Sequence, residues 1–386
     1  MHAKHIIDLG QKYQLYVGAF LDKNTPNSLT SSNQLMREKP AIDLDVSSVD
    51  EIAKIGHVTL LANEPPWHST RIKIEANQQY TLLADGRVNW SRKNSSLYAG
   101  PGFHLRTRVP GGEIDNVTRN TGTFVADVSG TIEVGIYFGL WSNLKGDLKS
   151  SLNLYNNLMG KLNITIISWK GDPMEGLRKL NALNKSAYFE AAFKQLEQPT
   201  PPPAGWQYLK DAGVSDIYSH TTDPGRARII LNSVDDQGII RKEVQFPITQ
   251  SSYLNWDWKL LEHPSCVRED KVKSHDYVSV AAEFENGRDL TWIWSSELDE
   301  GHYFDCPVPW WRERETHFVV RKGGTNRNWL HESRNLFKDV KMSMGFEPQM
   351  VTAIWLIGVS TFQHAQARAE FSKIFLKDKN RTLQIL

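Results

Sequence analysis

Six groups able to give or take a proton lie close together in the second half of the chain: Glu269, Asp270, His275, Asp276, Glu332 and Asp339. Glycoside cleavage needs two carboxyl groups facing one another across a bond, one as acid and one as base or nucleophile. If the chain is an enzyme, Glu332, Asp339, Asp276 and Glu269 are the candidates for that work. Glu332 and Arg334 share a face of any extended segment, where a charged bridge between strands is the plainer meaning. His302 and His331 have no metal-ligand spacing, and neither Cys266 nor Cys306 belongs to a metal-type cysteine pair. The chain has no Walker loop, no dinucleotide glycine motif after a strand, no His-Glu-x-x-His and no Gly-x-Ser-x-Gly. Several enzyme classes are thereby removed, whereas glycosidases and lyases are not.

Aromatic rings are the second chemical resource. Nine of the 13 tryptophans lie at or beyond Trp206. Trp256 and Trp258 flank Asp257, and Trp292 and Trp294 flank Ile293; in a strand, residues two apart share a face, so each pair makes a two-ring strip. Such strips fill a core or offer a flat platform to the C–H faces of sugars. Ile293 between two tryptophans describes a strand apolar on both sides, so Trp292 and Trp294 are assigned to the core. Asp257 turns a carboxylate the other way, and Trp256 and Trp258 are kept as platform candidates. In Cys306-Pro-Val-Pro-Trp310-Trp311 the prolines exclude a central strand, so Trp310 and Trp311 join them. Trp90 and Trp141 are the aromatic candidates of the first half.

These residues must be positioned by two β modules. Short period-two runs at Val58–Ala62, Thr70–Ile74, Tyr80–Ala84, Phe103–Val109, Gly122–Ala126, Thr131–Phe138 and Lys161–Ile167 alternate with turns such as Asp85-Gly86, Gly100-Pro101-Gly102 and Pro110-Gly111-Gly112. Seven strands at that spacing predict an antiparallel sandwich. Val49–Ala53 is read as a small helix after Ser48, Tyr13–Phe20 as a short strand and Asn24–Asn33 as loop. Asp172-Pro173 is read as N-cap and first turn of a helix whose Leu177, Leu180, Leu183, Ala187, Ala191 and Leu196 run to the cluster Pro199-Thr-Pro-Pro-Pro203. Prolines at that density form a stiff seam. The expected organisation is an N-terminal extension at 1–50, a sandwich at 51–168, a helical connector and proline seam at 169–205, and a second, jelly-roll-like sandwich at 206–386. The fold class is mainly β: two antiparallel sandwiches joined by a helix and a proline-rich linker.

The first module resembles the calcium-dependent galactose-binding lectins of the Pseudomonas type over residues 57 to 168. The likeness is carried by Val58 to Asn63, Trp67, Ala84-Asp-Gly, Trp90, Gly100-Pro101, Leu105 to Gly112, Gly122-Thr-Phe and Asn156-Asn157-x-x-Gly160-x-Leu-x-Ile. In that family the paired asparagines belong to the calcium shell, which implies Asn156 and Asn157 here, with Asn143 and Asp147 from the preceding loop. Calcium is the one ion so implied, and no cofactor is otherwise required. The loop departs from the family: Trp141-Ser142-Asn143 stands where Tyr-Asn-Asp is usual, and Lys145 and Lys149 flank the single carboxylate. Calcium prefers six to eight oxygen ligands and binds more tightly with more carboxylates, so such a shell is weak.

The second module resembles the bacterial domain of unknown function 3047 over residues 206 to 378. Leu254-x-Trp256-x-Trp258, Trp292-x-Trp294, Trp329-x-x-Glu332-x-Arg334-Asn335 and Asp339 before Gly345 carry it, and the strand patterns are similar to jelly-roll carbohydrate-binding modules. His275-Asp276 replaces a more acidic pair, and Ser360–Ala365 an Asp-x-Asp stretch.

Charge is consistent with a neutral partner. Lysine and arginine total 45 against 44 aspartates and glutamates, a formal net charge of +1, which favours neither nucleic acid nor an anionic membrane surface. No apolar run approaches the length of a membrane span and no Sec-type leader opens the chain. A soluble protein is expected, cytoplasmic, exported by another route or trimmed of its leader; the sequence sets no oligomeric state. The function expected is recognition of a glycan or polysaccharide through aromatic platforms, with a polysaccharide-cleaving enzyme as the alternative.

Overall fold

The computed structural model describes residues 46, 48–139, 141–209, 212–222, 225–271, 275–308 and 311–386. The strand expected at Tyr13–Phe20, the loop expected at Asn24–Asn33 and Trp310 lie outside the described residues. The chain divides into a unit ending at Pro199 and a unit starting at Thr200.

In the first unit the strands are β1 (Ile52–Leu61), β2 (His68–Ile74), β3 (Gln79–Asn89), β4 (Tyr98–Ala99), β5 (Leu105–Arg108), β6 (Asp115–Asn116), β7 (Thr121–Val125), β8 (Gly130–Ile136) and β9 (Met159–Trp169). One sheet runs β1-β9-β3-β4, with β7 also paired to β3; the other runs β2-β8-β5-β6. The alternation that marks these strands in the sequence is the alternation of the core, for Leu82, Ile132, Val134, Leu162, Ile164 and Ile166 are all buried. The expected helix at Val49–Ala53 is instead a turn leading into β1.

Asp85-Gly86 is not a turn. β3 runs straight through it, and Gly86 (φ +108°) pairs with Leu162 across β9. A Cβ there would lie 2.2 Å from the Lys161 carbonyl oxygen; Gly160 (φ +97°), opposite Val88, is similarly placed, with its virtual Cβ 2.3 Å from the Arg87 oxygen. Two glycines thus let neighbouring backbones close in mid-strand, which a sequence pattern cannot tell from a hairpin tip.

The expected single helix is two. α1 (Pro173–Asn184) starts at Asp172, whose carboxylate accepts from Met174 N, and stops at Lys185 in the left-handed region (φ +46°). Ser186 caps α2 (Ala187–Glu197) by accepting from Tyr188 N. Leu177, Leu180, Phe189 and Ala192 pack on Leu83, Ile167 and Trp169, the outer side of the first sheet.

The second unit contains β10 (Gln207–Tyr208), β11 (Tyr218–Thr221), β12 (Arg228–Val234), β13 (Gln237–Pro247), β14 (Tyr253–Glu262), β15 (Tyr277–Phe284), β16 (Asp289–Ser295), β17 (Tyr303–Asp305), β18 (Glu315–Lys322), β19 (Asn326–Asn335), β20 (Met350–Val359), β21 (Gln366–Lys377) and β22 (Thr382–Gln384), with α3 (Leu336–Met344) after β19. They form a seven-stranded sheet, β10-β13-β20-β15-β16-β18-β17, and a six-stranded sheet, β11-β12-β21-β14-β19 with β22 on β21. Pairing is antiparallel except for β16 with β18, which run parallel. One core between the sheets joins Leu254, Trp256, Trp258 and Phe371 to Val280, Trp292, Trp294 and Phe318. A second apolar layer, with Ile293, Val319 and Trp355, covers the far side of the larger sheet. Among the described residues no helix is long and apolar enough to cross a membrane.

Candidate functional site

Parity along β14 decides the fate of the tryptophans. Trp256 and Trp258 are 0 % and 1 % exposed, their rings meeting Trp292 and Trp294 at centroid distances of 5.8 and 5.3 Å. Rings with no exposed face offer nothing to a sugar, so the platform expected of this pair is corrected to core. The same parity sends Asp257 outward.

Two of the expected acid/base carboxylates serve this core. Glu332 accepts from Trp258 Nε1 at 3.0 Å and from Arg321 Nε at 2.6 Å. Asp339 accepts from Trp292 Nε1 at 3.1 Å and from both arms of Arg334 at 2.7 and 2.9 Å. Asn335, whose side chain accepts from Lys338 N, starts α3 and so places Asp339 in its first turn, where the helix dipole favours a carboxylate. Both carboxylates satisfy indole donors that burial would otherwise leave unpaired.

The other two tie loops over the larger sheet. Glu269 accepts from the Ser295 hydroxyl at 2.6 Å and from Ser296 N at 3.3 Å, and burial pushes its carboxyl above the usual range. Asp276 accepts from Phe362 N and Gln363 N at 3.0 and 2.7 Å, and burial raises it to about 7. The segments 275–276 and 360–365, singled out separately in the sequence, are therefore in contact. Trp311 is half-buried against the second apolar layer, with the Arg314 guanidinium 4.9 Å from its ring centroid.

The outward face of the six-stranded sheet carries a group of charged side chains around one tryptophan. Register places His331 opposite Asp257, Glu370 opposite Lys259 and Ile230, and Arg228 opposite Ser372. Asp257 takes Arg226 at 2.8 Å, His331 Nδ1 at 2.8 Å and Lys373 at 3.6 Å. Glu370 takes Lys259 at 3.0 Å and Arg228 at 3.1 Å. Among them lies partly buried Trp329, with the Arg226 guanidinium 4.2 Å and the Lys259 ammonium 5.1 Å from its ring centroid. Four fixed cations (Arg226, Arg228, Lys259, Lys373) less two carboxylates (Asp257, Glu370) leave this group at +2 with His331 neutral. Trp329 was not among the ring candidates, although it sits two residues before His331 and shares its face.

In the first unit the candidate rings build internal stacks. Trp90 is buried and donates to His104. Trp141 stacks on Trp67 at 5.5 Å and 17°, the Arg108 guanidinium lies 4.4 Å from the Trp67 centroid, and Tyr137 lies 5.7 Å from Trp141. Three of the four residues implied as a calcium shell have other partners. Asn143 donates to Asp147 at 2.8 Å, and its oxygen accepts from Lys145 N and Asp147 N, closing a loop on itself. Asn156 and Asn157 end a short 3-10 helix at Leu152–Asn157, and the Asn156 carbonyl accepts from Arg92 at 3.2 Å. The Arg92 guanidinium thus lies on a backbone carbonyl, and the residues implied as a calcium shell stand at a helix end and in a loop.

One cluster escaped sequence reasoning: His275, Cys306 and His317 converge, all buried, beside Glu315 and Asp289. They come from three separate segments, and no short spacing announces them.

Residues 204–375 match the family described as protein of unknown function (DUF3047), which establishes the resemblance of the second module. No curated protein matches the chain in sequence. Among solved structures, the N-terminal domain of EclA, a PllA-like lectin, is 13 % identical with a TM-score of 0.24, covering 29 % of this chain and 95 % of the lectin domain. An ENZbleach xylanase mutant is 10 % identical with a TM-score of 0.24, covering 48 % of this chain and 88 % of the xylanase.

Proposed function

We propose that the protein binds glycans, and that the outward face of β12, β21, β14 and β19 receives them, with a preference for acidic chains. The observation that supports this is Trp329 lying against Arg226 and Lys259, in a group of charged residues with a surplus of fixed positive charge. An indole gives sugar C–H groups a surface to rest on, and lysine and arginine give carboxylate or sulfate substituents charge-assisted partners. Asn255 and Ser333 on the same face add neutral hydrogen-bonding groups. The near-zero net charge of the whole chain does not oppose this, since recognition at a patch depends on the local field.

Binding is placed ahead of cleavage because Glu332, Asp339, Glu269 and Asp276 each already hold internal donors. The test is affinity electrophoresis and calorimetry against polygalacturonate and alginate, with dextran as the neutral comparison. Acidic chains are expected to bind at low salt and weaken as salt screens the contacts. Arg226→Gln and Trp329→Ala should each weaken binding about tenfold, the loss of one good contact, with no release of reducing ends. Retention of dextran alone, or of nothing, would reject the acidic-glycan reading. Reducing ends released by the wild type would replace it with the enzyme.

A further inference from the structure

The imidazoles of His275 and His317 meet nearly at right angles, 84° between planes, with their Nε2 atoms 3.2 Å apart. Each ring is held flat by a neighbour: Tyr277 stacks on His275 at 5.1 Å and 10°, and Phe304 on His317 at 5.0 Å and 21°. The Cys306 sulfur joins them, all three ligand atoms lying within 4.8 Å of one another, and each residue is buried. The carboxylate of Glu315 approaches His317 Nε2 at 3.5 Å. We propose that these side chains form a transition-metal site of the zinc type, with His275 Nε2, His317 Nε2 and the Cys306 thiolate as ligands and Glu315 as the fourth.

The spacing suits the ion. Two nitrogens about 2.0–2.1 Å from a tetrahedral zinc ion stand about 3.3 Å apart, close to the 3.2 Å between the histidines and the 3.5 Å from His317 to Glu315. The sulfur has only to close in. As the ion enters, the thiol releases its proton to solvent and the S–metal bond forms in its place. Both ligating nitrogens must then be unprotonated.

Charge balance argues the same way. Asp289 and Glu315 are both buried, and both are within reach of one Thr291 hydroxyl, at 2.9 and 3.2 Å. One hydroxyl hydrogen cannot satisfy two carboxylates. Tyr277 donates a second hydrogen to Glu315 at 3.0 Å, and Arg314 reaches Asp289 only at 3.7 Å. A divalent cation beside Glu315 would give that carboxylate a partner of opposite charge.

The site's location predicts its role. His275 lies two residues before β15, Cys306 follows β17, and His317 lies within β18. An ion held there clasps the covering segments to the larger sheet, and the burial of its three ligands is that of a structural centre.

The experiment uses the full chain, stripped with a chelator and dialysed against a micromolar zinc salt, with cobalt(II) loaded in parallel. Expected are one zinc per chain by mass spectrometry, a Tm that rises with zinc, and thiolate-to-cobalt charge-transfer absorption. That absorption should vanish in Cys306→Ser and persist in Cys266→Ser, whose cysteine is exposed. Absorption that survives Cys306→Ser, or disappears with Cys266→Ser, overturns the assignment. So does a wild type that retains no metal and shows no change in Tm, the 3.2 Å contact then being an ordinary hydrogen bond between two neutral imidazoles. If Cys306→Ser does not fold, the wild-type stoichiometry and the cobalt spectrum decide the matter, with His317→Gln as the second variant.

Discussion

Trp90 donates its indole hydrogen to Nε2 of His104 at 2.9 Å, and His104 Nδ1 donates in turn to the Tyr137 carbonyl at 2.8 Å. Each nitrogen has one role, so the imidazole is held neutral; burial, with the nearby Arg106 charge, lowers its pKa to about 3. Unfolded, the ring titrates near its ordinary 6.5, so between those values the unfolded chain binds the extra proton. Stability from this residue is complete above pH 6.5 and falls as pH drops. The expected loss between pH 7 and pH 5 is about 2 kcal/mol. Denaturant melts across that range should be flatter for His104→Gln; equal slopes would remove His104 from the account.

Asp339 offers a test of carboxylate roles. With Arg334 and Trp292 both donating to it, Asp339→Asn should destabilise the second unit by about 3 kcal/mol, the cost of breaking a largely buried pair. Urea unfolding measures it. A variant with unchanged stability would mean the carboxylate is free for other work.

Two tryptophans on neighbouring strands of one sheet should behave oppositely. Trp258→Ala should cost about 4 kcal/mol, because it opens a core cavity and strips Glu332 of a donor. Trp329→Ala should change the Tm little and act on glycan affinity instead. Paired melting and binding measurements separate the two, and a large Tm loss for Trp329→Ala would make that ring structural.

Calcium should leave the first unit's melting unchanged at millimolar concentration, measured with and without chelator. Asp147 is the one carboxylate between residues 141 and 157, and it already accepts from Asn143, while Arg92 sits on the Asn156 carbonyl. A rise in Tm with calcium would show that those contacts open to admit the ion.

Most of the architecture was legible. Period-two alternation marked the strands at Thr70–Ile74 and Thr131–Phe138 because one side of each meets the other sheet, and Ile293 between Trp292 and Trp294 marked a strand covered on both sides. The same rule failed at Trp256 and Trp258. Alternation says that these two rings share a face, but which face is inner depends on where the second sheet lies, a non-local fact. Asp85-Gly86 misled because a glycine needed for close backbone approach resembles one needed for a turn. The cluster of His275, Cys306 and His317 was invisible for a related reason: strand register, not spacing along the chain, brings it together.

The parallel pairing of β16 with β18 has a consequence for which changes the chain tolerates. Parallel neighbours cannot be joined by a tight hairpin, so the chain leaving Ser295 must travel back to the start of its neighbour before entering at Glu315. The stretch between them carries Cys306, Trp311 and Arg314, and its return path is required by strand direction. Surface connections ordinarily shorten or lengthen freely among relatives. This one has a minimum length, and a deletion within it would have to reverse β18, so natural length variation should fall instead in turns between antiparallel strands, such as the one at Gly287.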